Sequence, residues 1–418
     1  MERVRVLELY SGIGGMHYAL KESGVPAEVV AAVDINTMAN QIYKHNFPDT
    51  RLWNKSIEGL TLEDFDALSV DMVMMSPPCQ PFTRIGLQGD VSDPRTKSFL
   101  HILHLLPRLH RLPRFILLEN VKGFETSTAR DRLIDTLTEC GYFFQEIMAS
   151  PTSVGIPNSR LRYFLIAHHS TENLRTDSKV WGVSTHPAED DSASESNAAC
   201  PRTTGPEEKG SRGPVLYKLE TEMQLQRKAT QDNNPDVRQI RDFLEPDSQV
   251  NVEEYLLLPK TLLRYSLLLD IVQPTSRRSV CFTKGYGRYV EGTGSVLQSC
   301  VDSEVQSVFT ELELLSEEDR LQQLMSLRLR YFTPREVANL MCFPPCFSFP
   351  EHISTIQRYR VLGNSLNVQL VAKLVRLLFS TQPTSSCVNS SSTAPQAPEP
   401  GPVSPEETPA YQKERDIL

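Results

Sequence analysis

The sequence predicts an α/β fold: a doubly wound, mostly parallel sheet with helices on both faces, and a smaller irregular region inserted late in the chain. Three observations carry this. Short apolar runs alternate with stretches of helical period from residue 4 to 167. The first run leads into a glycine-rich turn and then a helix, the order in which open α/β sheets hold nucleotides. A later run, Met72 to Met75, stops at Ser76-Pro77-Pro78-Cys79-Gln80-Pro81-Phe82. Proline cannot continue a sheet ladder, so this stretch presents one thiol on a stiff loop at a strand end.

Val4 to Leu9 reads as the first strand, followed by Tyr10-Ser11-Gly12-Ile13-Gly14-Gly15 and a helix from Met16 to about Ser23, stopped by Gly24. Glu28 to Val33 is the second strand, and Asp34 ends it. Glycines after a first strand let backbone N–H groups approach a ligand, and an acid about 20 residues on holds ribose hydroxyls. The dinucleotide pattern places a third glycine where His17 stands. The loop therefore favours a nucleoside without a diphosphate, such as S-adenosylmethionine. A helix over Thr37 to His45 and an extended stretch over Leu52 to Glu58 come next. The strand Asp71 to Met75 feeds the Cys79 loop, and a helix is expected from Thr96 to His110. The strand Phe115 to Leu118 ends in Glu119-Asn120-Val121. A helix from Ser127 to Cys140 carries Leu133 and Leu137 on one face and stops at Gly141. Two more strands follow, Tyr142 to Ala149 and Tyr163 to Ala167, the second preceded by Arg160-Leu161-Arg162.

Residues 168–214 are polar and acidic and read as a disordered insertion. Residues 215–329 are apolar again but irregular, and contain the basic, aromatic run Val280-Cys281-Phe282-Thr283-Lys284-Gly285-Tyr286-Gly287-Arg288-Tyr289. Such a run suits nucleic-acid contact, and equally a glycine-rich loop packed on the core. Residues 330–380 resume the main pattern: Thr333 caps a helix with Pro334 in its first position, and Gly363-Asn364-Ser365 precedes an apolar helix from Leu366 to Leu378. Residues 381–418 read as a disordered tail.

The chain has 418 residues and a formal charge of −9. The two polar stretches hold most of that charge, so the folded body keeps room for a basic groove. No apolar run reaches the roughly 20 residues a membrane span needs. Eight scattered cysteines suit reduced thiols and a cytoplasmic home, with nuclear presence left open. Cys342 and Cys346 lack a second ligand pair at zinc spacing, so no metal is expected.

A cysteine beside a nucleoside cofactor points to covalent catalysis. If the substrate is cytosine, its carbon 5 is too poor a nucleophile to attack a sulfonium methyl. A thiolate adding at carbon 6 makes it an enamine, and an acid near ring nitrogen 3 offsets the developing charge. Glu119 is placed for that role, and Arg160 and Arg162 for steadying the base carbonyl and nearby phosphates. The target base must leave its stack or lie in an unpaired loop.

With these residues in view, the chain resembles the cytosine-5 methyltransferase family. Leu9-Tyr10-Ser11-Gly12-Ile13-Gly14 is similar to the cofactor loop, with Tyr10 where Phe is more usual. Pro77-Pro78-Cys79-Gln80, Glu119-Asn120-Val121, Ser159-Arg160-Leu161-Arg162, Arg335-Glu336 and Gly363-Asn364-Ser365 follow in the family's order. Cys281-Phe282-Thr283 resembles the small eukaryotic class-two members. The resemblance implies a Rossmann-like catalytic domain over 1–167 and 330–380 and a target-recognition domain over 215–329. It implies Cys79 as nucleophile, Glu119, Arg160 and Arg162 as catalytic partners, and S-adenosyl-L-methionine held by Ile13, Gly14, Gly15, Asp34, Ile57, Glu58, Ser76 and Ser365. It further implies a monomer acting on an anticodon-loop cytosine of aspartate tRNA, with DNA as a weak second ligand. The rival readings are a DNA cytosine-5 methyltransferase and a catalytically silent nucleic-acid-binding protein.

Overall fold

A computed structural model describes residues 3–82, 89–169, 222–300, 305–312 and 315–380. The expected acidic insertion and tail lie almost wholly outside these residues. Seven strands form the main sheet: β1 (Val4–Leu9), β2 (Ala27–Val33), β3 (Leu52–Trp53), β4 (Met72–Met75), β5 (Phe115–Val121), β6 (Tyr142–Ala149) and β7 (Arg162–His169). Their order is β3-β2-β1-β4-β5-β7-β6. β7 runs antiparallel to both neighbours, and the remaining pairs are parallel. The strand order reverses between β1 and β4, the place where open α/β sheets leave a crevice beyond their C-terminal ends.

The period-2 alternation of the strands divides the core. Val6, Met72, Met74 and Leu117 pack on one face, while Leu7, Val73, Met75 and Leu118 pack on the other. The first face is covered by α1 (Gly15–Ser23), α2 (Thr37–Asn46) and residues near the C-terminal end of the described chain. The second is covered by α3 (Leu62–Leu68), α4 (Lys97–Leu105) and α5 (Thr128–Glu139), from which Leu133 and Leu137 are buried as expected. Two helical expectations change. The helix foreseen up to His110 ends at Leu105, and Pro107 diverts the chain into a 3-10 turn at Leu106–Arg108. α3 went unread because it buries only Phe65 and Leu68, too few to show a period; a Thr61/Asp64 capping box starts it instead.

Residues 222–330 contribute α6 (Glu222–Asp232), α7 (Pro259–Tyr265), β8 (Ile271–Val272), β9 (Val296–Gln298), α8 (Val305–Glu311), α9 (Glu317–Ser326) and β10 (Leu329–Arg330). The three strands form a second sheet, β10-β9-β8, with its own core of Leu257, Leu262, Val296, Phe309, Leu324 and Leu329. The chain then returns through α10 (Pro334–Leu340), capped by Thr333 as expected, α11 (Thr355–Gly363) and α12 (Val368–Ser380), which packs against α1. Among the described residues no helix is long and apolar enough to cross a membrane.

Candidate active site

Strand register builds the centre of the site. β4 and β5 are parallel, and Met75 pairs with Leu118. The next residues, Ser76 just past the end of β4 and Glu119 still within β5, therefore lie side by side. Ser76 Oγ donates to Glu119 Oε2 at 2.5 Å. From the other side, the antiparallel β7 begins at Arg162, opposite Val121. Arg162 Nε lies 3.3 Å from Glu119 Oε1. Glu119 is buried at 7% exposure, so this pairing offsets the cost of keeping a carboxylate out of water.

The prolines then turn the chain out of the sheet. The Pro77 carbonyl accepts from Asn120 Nδ2, and the Cys79 carbonyl accepts from the Phe82 N–H at 3.0 Å. Phe82 is buried edge-on against Phe124, with ring centroids 5.0 Å apart. The loop is thus anchored on both sides of a half-buried Cys79. Burial and then Glu119 push the Cys79 thiol up, and Arg162 and Arg160 offset this only in part. At neutral pH it rests as the thiol.

Arg160 sits deeper than a solvated arginine, at 5% exposure. Its Nη1 donates to the Phe282 carbonyl at 3.1 Å and to Cys281 Sγ at 3.2 Å. Its Nη2 donates to the Gly363 carbonyl at 3.0 Å and to the Ser365 carbonyl. One side chain so ties β7's approach to the Cys281-Phe282 segment and to the Gly363-Asn364-Ser365 turn. Its terminal nitrogens are spent on the protein, whereas Arg162 faces Glu119. Cys281, which spacing alone could not assign to the site, lies between the two guanidiniums. Burial raises its thiol, but Arg160 and Arg162 outweigh this and hold it below the ordinary thiol range.

The glycine turn lies at the C-terminal end of β1. The Gly12 N–H donates to Asp34 Oδ2 at 2.8 Å, and the Asn36 N–H to Asp34 Oδ1 at 2.7 Å. Gly14 has φ +86, and a Cβ there would overlap the Phe47 ring. A Cβ on Gly15 would meet Ser365 Oγ at 3.0 Å, so the opening and closing motifs touch. Ile13 and Ile57 are buried, and Glu58 is exposed on the turn that Ser56 caps. Two features were missed in the sequence. Ile35, 68% exposed, leaves apolar surface beside Asp34, and Ser11 Oγ is buried with no partner among the described residues. Both suit a nucleoside, which has an apolar base face and hydroxyls to satisfy. A cleft of about 600 Å³ at the N-terminal end of β5, lined by His110, Arg111, Arg114 and His169, shares no residue with this site.

A thiol, a paired carboxyl and an arginine meet here near the glycine turn and Asp34. That combination suits covalent activation of a flat, electron-poor ring for group transfer, and the class it defines is a nucleoside-dependent base methyltransferase. A family model described as C-5 cytosine-specific DNA methylase matches residues 4–380. The chain belongs to this family, whose methyl donor is S-adenosyl-L-methionine. It is similar to a Homo sapiens protein named tRNA (cytosine(38)-C(5))-methyltransferase, 56% identical over 395 residues, which cover 91% of this chain and 100% of that protein. It is also similar to a Dictyostelium discoideum protein named DNA (cytosine-5)-methyltransferase, at 38% identity over 91% of this chain and 95% of that one. Among solved structures, a Spodoptera frugiperda DNMT2 mutant has TM-score 0.69 and 39% identity, covering 90% of this chain and 99% of its own.

Proposed function

We propose that this chain methylates carbon 5 of a cytosine in the anticodon loop of tRNA, at position 38 of aspartate tRNA, through a covalent adduct with Cys79. The observation that carries the reading is the meeting of Cys79, Glu119 and Arg162 at adjoining strand ends, in a chain 56% identical to a tRNA cytosine-38 methyltransferase.

Cys79 first loses its proton to solvent, and its sulfur bonds to carbon 6 of the flipped base. The ring electrons move toward nitrogen 3, where the Glu119 carboxyl hydrogen-bonds. Arg162 holds that carboxyl and the base carbonyl, and Arg160 holds the frame around Arg162. The cofactor supplies an electrophilic methyl group on a sulfonium. The residues that would hold it are Ile13, Gly14 and Gly15 of the turn, Asp34 and Glu58 accepting from its hydroxyl and amino groups, Ile57 in apolar contact, and Ser365 where it meets Gly15. Carbon 5, now enamine-like, would accept the methyl as its bond to the cofactor sulfur breaks and a neutral thioether leaves. Water then removes the carbon 5 proton, the carbon–sulfur bond breaks, and the thiolate returns. Residues 215–329 form the part that receives the RNA.

The test is methyl transfer from labelled cofactor to total tRNA, to a panel of single tRNA species and to genomic DNA. We expect label in aspartate tRNA and a loss of at least about 1000-fold in Cys79→Ala. Undiminished activity in that variant sinks the adduct. The second reading, DNA methylation, is favoured by the similarity to the Dictyostelium protein. Faster labelling of genomic DNA than of tRNA would select it.

A further inference from the structure

Ser76 stands between two assignments. It follows β4 directly, and the family resemblance placed it among cofactor contacts. Its hydroxyl, however, is aimed across the sheet. Parallel register sets Ser76 beside Glu119, and Pro77 and Pro78 fix the backbone from which the side chain projects. The hydroxyl donates to Glu119 Oε2 at 2.5 Å, while Arg162 Nε lies 3.3 Å from Oε1. A carboxyl group turns freely about its last bond, a broad and nearly two-fold rotation. One contact on each oxygen fixes that rotation and leaves the remaining lone pairs in a defined plane.

We propose that Ser76 is a positioning residue for the methyl-transfer reaction: its hydroxyl, with Arg162, sets the plane of the Glu119 carboxyl so that it meets ring nitrogen 3 of the target cytosine. This rests on the reading of Glu119 given above. A hydroxyl suits the task because it donates to a carboxylate and accepts from a carboxylic acid. The contact therefore survives a change in the proton on Glu119 during the reaction. An ammonium at the same place would serve one protonation state only.

The experiment compares Ser76→Ala, Ser76→Thr, Glu119→Gln and the Ser76→Ala/Glu119→Gln double variant of the full chain. It measures kcat and KM for both substrates, and the affinity for S-adenosylhomocysteine by calorimetry, with thermal melts as a folding control. We expect Ser76→Ala to lose about 10-fold or more in kcat at saturating cofactor, the size of one hydrogen bond to a charged group. S-adenosylhomocysteine affinity should change by less than about twofold, Ser76→Thr should restore most of kcat, and Ser76→Ala should add nothing in the Glu119→Gln background. Weakened S-adenosylhomocysteine binding with unchanged kcat overturns the proposal and returns Ser76 to the cofactor. Full multiplication of the two losses in the double variant also overturns it. A Glu119→Gln variant at the parent rate removes the role of Glu119 itself, and this proposal with it. A slow Glu119→Gln beside a fully active Ser76→Ala removes only the role of Ser76.

Discussion

Arg160 and Arg162 are two residues apart and do different work. Arg160 donates to three backbone carbonyls and a sulfur, so its planar fork acts as a clamp. Lysine offers no such fork. Arg160→Lys should leave buried carbonyls of Phe282, Gly363 or Ser365 unpaired and cost roughly 1–3 kcal/mol, read from urea unfolding. The same residue scale governs the Cys79 thiol. Because burial and Glu119 hold the Cys79 thiol above its ordinary range, alkylation of Cys79 by iodoacetamide, followed by peptide mapping, should keep rising with pH beyond the usual thiol midpoint near 8.5. Arg162→Ala removes an opposing positive charge and should move that midpoint higher still; a midpoint at or below 8.5 in the parent contradicts the geometry.

At the scale of elements, the site depends on loops brought within touching distance. Gly363, the last residue of α11, lies so close to the 283–284 backbone that any Cβ would overlap it. Gly363→Ala should push the 283–284 segment away from Arg160, lower stability by about 1–3 kcal/mol and slow methyl transfer. Melting and activity check this together, since a harmless alanine would show that the segment yields without cost. The sequence marked Gly363-Asn364-Ser365 as a motif and the 280–289 run as a segment of two meanings. Its rings divide: Phe282 and Tyr286 are buried in the main core, while Tyr289 is 59% exposed with the Arg288 guanidinium over its ring. One part anchors the loop and the other faces outward, a division periodicity could not read in a segment without a regular helix or strand.

At the scale of the whole molecule, stability is coupled to pH through a buried group that plays no part in the chemistry. Glu8 on β1 accepts from Tyr43 Oη at 2.8 Å, and Tyr43 Oη lies 2.8 Å from His17 Nδ1. Burial raises Glu8 from 4.5 to about 8, although the Tyr43 hydrogen bond opposes the shift. Burial, and then Lys21, lower His17 from 6.5 to about 3. Between pH 4.5 and 8 the folded state keeps a proton on Glu8 that the unfolded chain releases, so stability falls as pH rises through that window. Below pH 6.5 the unfolded chain protonates His17 while the folded one does not, so His17 lowers stability as pH falls. Above 6.5 the His17 effect fades, and Glu8→Gln should reduce the decline in melting temperature between pH 6.5 and 8. A decline of equal slope in the variant would place its origin elsewhere.

The sequence by itself determined the alternating elements, the glycine turn with Asp34, the proline-mounted Cys79 and the two arginines, because each is written in a short local pattern. Tertiary structure decided the rest. It reversed β7 against β5, set Ser76 beside Glu119 through strand register, and brought Cys281 between Arg160 and Arg162 across more than a hundred residues. It also gave the two arginines separate tasks. These are long-range pairings, fixed by packing and register, and no local pattern encodes which distant residue a side chain will meet.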